Sequence, residues 1–297
     1  GKVMNPMIDK KAEKIIYTLN NQGYEAYIVG GCVRDIILGR IPEDWDITTS
    51  AKPEETKACF SHTYDTGIKH GTITVLLGQD KYEITTYRIE SEYSDCRHPD
   101  EVQFTRNLHE DLLRRDFTMN AIAYHPKEGF VDPFGGIDDI NKKIIKGVGC
   151  PEERFREDAL RMLRAVRFAA QLGFEIEQDT WSALKRNAEL ISNISAERIR
   201  DELQKLIMSK RPEKISFLAY SGLMDKISIP LGKVLKDEWI DVSEELKRSQ
   251  VNVPLRWAVF LKRIGTDTAE KLMRSLKFDT KTLKLSMMII EEDKNEP

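Results

Sequence analysis

Apolar positions change period repeatedly over the first 150 residues, whereas beyond them they keep almost to one period. Ile8, Ile15, Ile16 and Leu19 recur at helical spacing and predict a helix over 8–22. The run Ala26-Tyr27-Ile28-Val29 predicts a short strand ending in Gly30-Gly31, and residues 32–38 carry a helical turn or two that stops at Gly39. Trp45 to Thr49 alternates as a strand, and Pro53 opens a short helix, because proline suits a first helical turn. Thr72 to Leu77 and Tyr82 to Tyr87 predict two strands joined by the Gly78-Gln79-Asp80 turn. Residues 91–106 are polar without a period and read as a loop. Helix is expected again over 107–121, followed by short strands and a turn at Pro133-Phe134-Gly135-Gly136.

Gly147, Gly149 and Pro151 mark a boundary. After it the pattern predicts helices over 153–172, 178–193, 195–209, 212–221, 234–249, 253–264, 267–275 and 279–291. The expected fold class is therefore α+β. A mixed first domain over 1–150, built on a small mixed or antiparallel sheet, precedes two all-helical domains over 151–210 and 211–297.

Composition narrows the functional classes. The chain has 297 residues, 40% hydrophobic and 32% charged, enough for two or three cores. No apolar run approaches the ~20 residues needed to span a bilayer, and the first residues lack the apolar stretch of a signal peptide. Cys32, Cys59, Cys96 and Cys150 are scattered, with no C-x-x-C pair, which argues against a zinc site and disulfides and for a reduced cytoplasm. The net charge of −3 excludes a globally basic nucleic-acid binder, so any RNA contact must rest on local patches. Residues 142–167 supply one: eight Lys or Arg against four Asp or Glu.

Chemistry enters at Asp44-Trp45-Asp46. On a strand, positions i and i+2 project from one face, and two ionised carboxylates side by side call for a cation between them. Hard oxygen ligands with room for water and phosphate suit Mg²⁺, which serves phosphoryl displacement. Alone, this pair also fits a solvated strand face or turn. Fourteen residues before Asp44, however, a strand runs into Gly30-Gly31 and a helix. Glycines there let backbone N–H groups approach a triphosphate, and Arg34 stands one turn further on. Glu83, between apolar neighbours on an adjacent predicted strand, reads either as a third carboxylate of the site or as an edge glutamate facing water.

A helix from Glu157 carries Leu160, Leu163, Val166 and Ala170 as an inward stripe, with Asp158, Arg161, Arg164 and Arg167 stepping around another side. Asp158 and Arg161 lie one turn apart, as in an ordinary solvated pair. Such a pair also sets an acceptor beside a donor, which matches the amino group and ring nitrogen of cytosine or adenine. It would reject uracil and guanine, because its own buried groups would be left unpaired.

Several blocks together resemble a known family. Tyr27 to Asp35, Leu38-Gly39-Arg40 and Asp44 to Thr49 are similar to the head of class II tRNA nucleotidyltransferases, the CCA-adding enzymes, and of bacterial poly(A) polymerases. Further segments follow in order: Glu83 to Arg88, Arg97-His98-Pro99-Asp100, Arg114 to Ala121, Glu157 to Arg164, and Ser195 to Ile199. The match covers roughly residues 24–210. The resemblance implies a nucleotidyltransferase head followed by helical neck and body domains. It implies Asp44 and Asp46 as catalytic magnesium ligands, and Gly30, Gly31, Arg34 and Arg115 as nucleotide-binding residues. Arg114 and Arg115 also fit a helix-end ion pair with Asp111 or Asp116. The segment would be the template for incoming CTP and ATP, with Asp158 and Arg161 serving base choice and Arg164 and Arg167 nearby.

The activity this implies is template-independent addition of C, C and A to the 3′ end of tRNA from CTP and ATP, with release of pyrophosphate. CC-adding, A-adding and poly(A)-polymerase activities share the same head, and a noncatalytic RNA-binding protein is the reading from another class. The segment 97–104 resembles the flexible loop of CCA-adding enzymes, which favours full CCA addition. The family also implies a helical tail beyond residue 297 that grips the tRNA elbow, so the body reads as either shortened or compact.

Overall fold

A computed structural model describes residues 6–90 and 102–295. Its two compact units meet in sequence at Cys150 and Pro151. The loop segment around Arg97-His98-Pro99-Asp100 and Cys96 lies outside the described residues.

In the first unit the elements run α1 (Lys10–Asn21), β1 (Ala26–Val29), α2 (Gly31–Ile37), β2 (Asp46–Thr49), α3 (Pro53–Cys59), β3 (Thr63–Gly67), β4 (Thr72–Leu77) and β5 (Asp80–Thr86). There follow β6 (Arg88–Glu90), β7 (Val102–Phe104), α4 (Leu108–Leu113), β8 (Ala123–His125), β9 (Gly129–Val131), α5 (Gly136–Lys142) and β10 (Ile144–Ile145). Seven strands form one sheet in the order β3-β4-β5-β2-β1-β8-β9. Only β2 and β5 pair in parallel, which makes the sheet mixed. Helix α1 buries Ala12, Ile15, Ile16 and Leu19, the stripe its spacing predicts, with Asp9 capping its first turn. Val29, Leu112, Ala121, Ala123 and Val148 form a buried cluster where β1 leads into α2.

Three expectations need correction. β2 begins at Asp46, so Asp44 sits in a bend before the strand rather than on it. The expected helix over 107–121 is only α4, followed by a single 3₁₀ turn over Thr118–Asn120. Asp111 is the reason: its buried carboxylate takes Arg114 and Arg115 at the helix end, and Asp116 receives the Phe117 N–H at 2.7 Å. Val102–Phe104, expected in a loop, pairs as β7 with β6.

The second unit is helical apart from the short strand β11 (Glu175–Ile176). Its helices are α6 (Pro151–Glu157), α7 (Leu160–Leu172), α8 (Gln178–Asn187), α9 (Ala196–Ile207), α10 (Ile215–Tyr220) and α11 (Leu223–Ile227). They continue as α12 (Ile229–Arg248), α13 (Val253–Leu261), α14 (Thr266–Ser275) and α15 (Thr280–Asn295). Leu160, Leu163, Val166 and Ala170 are buried, as their spacing predicts. The single helix expected over 153–172 is broken after Glu157. There the Asp158 side chain takes the Leu160 N–H at 3.1 Å and so competes with the helix ladder. Among the described residues no helix is long and apolar enough to cross a membrane. Cys32, Cys59 and Cys150 are free thiols.

Candidate active site

Register sets one side of the site. Asp46 on β2 stands opposite Glu83 on β5, Glu83 opposite Thr74 on β4, and Thr74 opposite Tyr64 on β3. These four residues form a rank on one sheet face, perpendicular to the strands. A cavity of about 800 Å³ opens over that rank and is lined by Asp44, Trp45, Asp46 and Glu83 among others. The bend at Asp44 therefore still delivers both aspartates to one cavity, and Glu83 joins them there. Burial of its surroundings and the Glu83 carboxylate push the Asp46 carboxyl above its ordinary range, with Asp44 adding to the push and Arg115 opposing it.

Among the described residues no three His, Cys, Asp or Glu side chains form a complete metal site by themselves. Two carboxylates that repel one another at the edge of an open cavity do fit a hard cation whose other ligands are water and phosphate.

The other side begins where β1 ends. Gly30 has φ +81°, a conformation that side chains disfavour, and it starts α2 without a side-chain cap. A Cβ on Gly30 would lie 3.5 Å from Arg115 Nη1, and one on Gly31 would lie 3.4 Å from Arg34 Nη2. Both arginines thus lie over the glycine backbone, which brings Gly30, Gly31, Arg34 and Arg115 together. Arg34 donates to Asn120 Oδ1 at 2.9 Å, and Asn120 in turn donates to Asp116 Oδ1 at 3.1 Å. The turn that holds Asn120 packs against Gly136 so closely that a Cβ there would overlap the Thr118 carbonyl oxygen and approach Ile122 at 2.8 Å. Arg115 donates through Nη2 to Asp111 at 3.3 Å, while its buried Nε has no hydrogen-bond partner among the described residues. Cys32, behind the glycines, donates its S–H to the Val29 carbonyl, and burial pushes the thiol up to about 12, so it is inert.

Asp111 ties these parts together. It is fully buried and accepts from the Thr48 hydroxyl at 3.0 Å, the Arg88 N–H at 3.1 Å, Arg114 and Arg115. Burial alone would raise its carboxyl, but the two guanidiniums and the two hydrogen bonds outweigh that and hold it below the ordinary range.

In the second unit Asp158 turns to a partner that sequence reasoning did not assign: it accepts from Arg198 Nη2 at 2.9 Å and Nη1 at 3.4 Å. Arg161 donates to Glu157 at 2.7 Å and to the Arg154 carbonyl at 3.0 Å. Arg164 lies over the Phe168 ring at 5.1 Å. Arg167 is buried and grips Glu202 of α9 through two bonds of 2.7 and 3.1 Å, so its guanidinium braces α7 against α9. Asn120 and Arg198 fall inside motif blocks and Asp111 lies three residues before one, but the partners that reveal the work of Asn120, Asp111 and Arg198 lie 86, 63 and 40 residues away. Local spacing carries no signal of such pairs.

A glycine turn under two arginines, beside carboxylates at the start of the central strand of a mixed sheet, is an arrangement suited to a nucleoside triphosphate. Comparison with known proteins places it further. Residues 26–146 match the poly(A) polymerase head-domain family, and residues 173–230 match the family described as a probable RNA and SrmB-binding site of polymerase A. A CCA-adding enzyme of Lactobacillus delbrueckii subsp. bulgaricus is 46% identical over 271 residues, which are 90% of this chain and 67% of that protein. One of Leuconostoc citreum is 44% identical, covering 94% of this chain and 70% of that protein. The crystal structure of the Bacillus stearothermophilus CCA-adding enzyme in complex with CTP superposes with a TM-score of 0.86 at 38% identity, covering 97% of this chain and 70% of that one. The chain belongs to the family of CCA-adding enzymes, which are tRNA nucleotidyltransferases. It spans roughly two thirds of the length of these relatives.

Proposed function

We propose that this chain is a template-independent RNA nucleotidyltransferase that adds C, C and A to the 3′ end of tRNA from CTP and ATP and releases pyrophosphate. The observation that carries the reading is the convergence of Asp44, Asp46 and Glu83 on one cavity, beside a glycine turn overlaid by Arg34 and Arg115. The names of its relatives and the CTP bound to the Bacillus stearothermophilus enzyme support the choice of substrates. Such a protein works in the cytoplasm.

In this reading Gly30 and Gly31 let the backbone approach the triphosphate, and Arg34 and Arg115 neutralise it. Asp44 and Asp46 hold Mg²⁺, which when bound supplies charge stabilisation at the α-phosphate and lowers the pKa of the attacking hydroxyl. Glu83 keeps the Asp46 carboxylate in a field that favours a cation. The 3′-hydroxyl of the RNA gives up its proton to solvent as its oxygen forms a bond to the α-phosphorus, the bond to the bridging oxygen breaks, and pyrophosphate leaves with its electron pair. Asp158 and Arg161 choose the base by the donor and acceptor logic above, Arg198 orients Asp158, and Arg164 stands nearby. Arg167 serves the site only by bracing α7.

The decisive experiment supplies tRNA ending at the discriminator base, with CTP and ATP separately and together, and resolves product lengths. Two Cs and one A followed by a stop is the expected result. An extended A ladder would replace the reading with poly(A) synthesis, and no incorporation would overturn it.

A further inference from the structure

The cavity extends well beyond the carboxylates, and its far half has no role in the mechanism above. That half is lined by Tyr64 and Thr66 of β3, Thr74 and Leu76 of β4, and Lys81 of β5. None of the cradle residues Gly30, Gly31, Arg34 and Arg115 lines it.

Strand order says what that half faces. β2, which carries Asp46, lies between β1, which leads into the glycine turn, and the β5-β4-β3 side of the sheet. Phosphoryl transfer needs the attacking and leaving oxygens roughly in line on opposite sides of the phosphorus. With the triphosphate on the β1 side of Asp46, an attacking strand entering over β5, β4 and β3 meets that requirement. The rank from Asp46 through Glu83 and Thr74 to Tyr64 spans three inter-strand steps, about 14 Å. That run is longer than a hydroxyl needs and suits more than one nucleotide unit.

Its chemistry is that of a single-strand RNA surface. Tyr64 is 52% exposed, with its ring at the cavity wall. Lys81 is exposed and has no ion partner among the described residues, unlike Lys57 on α3, which pairs with Asp65 at 3.2 Å. The Thr66 and Thr74 hydroxyls meet at 2.6 Å on the floor between them, and Leu76 adds an apolar patch. An aromatic face for a base, a cation for a phosphate and hydroxyls for ribose are how proteins hold unpaired RNA.

We infer that the β3–β5 half of this cavity receives the 3′-terminal nucleotides of the RNA being extended, with Tyr64 stacking on a base and Lys81 contacting a backbone phosphate. This rests on the nucleotidyltransferase reading and adds to it the location of the acceptor strand.

The test measures KM for a tRNA lacking its CCA end and, separately, KM for CTP, in the unaltered chain, Tyr64→Ala, Tyr64→Phe and Lys81→Gln. Tyr64→Ala should raise the RNA KM by about tenfold or more, the loss expected for one stacked base, and leave the CTP KM within about twofold. Tyr64→Phe, which keeps the ring, should stay near the unaltered chain. Lys81→Gln should raise the RNA KM and flatten its log–log dependence on salt by about 0.7, one phosphate contact. An unchanged RNA KM in both Tyr64→Ala and Lys81→Gln overturns the inference while leaving the activity standing. A rise in the CTP KM equal to that for RNA overturns it as well, because the surface would then serve the incoming nucleotide. Inactivity of the unaltered chain sinks both this inference and the function it rests on.

Discussion

Asp111 shows how much a single buried carboxylate can organise. Its four partners belong to β2, to the start of β6 and to the arginine pair that ends α4. Its folded pKa lies below the roughly 3.9 of an unfolded aspartate, so the stability it contributes is complete above that pH and is lost as pH falls through the folded value. Asp111→Asn should therefore lower stability at pH 7 and flatten the loss seen on acidification, both measured by urea unfolding at stepped pH. Asp46→Asn should cut incorporation by more than about a hundredfold with CTP binding largely kept, as single-turnover assays and equilibrium dialysis would show. Asp158→Ala should narrow the preference for CTP over UTP, and an unchanged ratio of kcat/KM values would count against base choice by that residue. The paired aspartates and the glycine turn were legible in sequence because their signals are local. The work of Asp111 was not, because Thr48 and Arg88 reach it only after the sheet has formed.

Among the elements, those read correctly include the ones whose apolar spacing marks positions that become buried. Helix α1, strand β1 and the apolar stripe of α7 follow their spacing because burial alone decides them. β3 was missed because an edge strand of Thr63, Tyr64, Asp65, Thr66 and Gly67 has almost nothing to bury and bulges between Tyr64 and Gly67. Helix α7 is joined to α9 by Arg167 and Glu202, with side chains 9% and 6% exposed. Breaking a buried pair leaves one charge stranded, so Arg167→Met should cost about 3–5 kcal/mol. The double variant Arg167→Met, Glu202→Leu should recover most of that loss, since the pair repays its own desolvation poorly. Denaturant midpoints of the two variants provide the check; equal destabilisation of single and double would sink this account.

At the scale of the molecule, the chain divides into two units, each with its own core. Unfolding should therefore depart from a single two-state transition, with a calorimetric enthalpy above the van't Hoff value. Coincidence of the two enthalpies would refute it. Gly147, Gly149 and Pro151 flank the point where the units meet in sequence. The sequence left the sheet as either mixed or antiparallel, because a parallel partner such as β5 for β2 leaves no turn signal between them. Gly136 carries an implication of its own. It admits no side chain because the turn bearing Asn120 rests on its backbone, and Asn120 is what steadies Arg34. A methyl group placed on α5, a hundred and two residues from Arg34 in the chain, would thus be expected to loosen the grip on a triphosphate that it never touches.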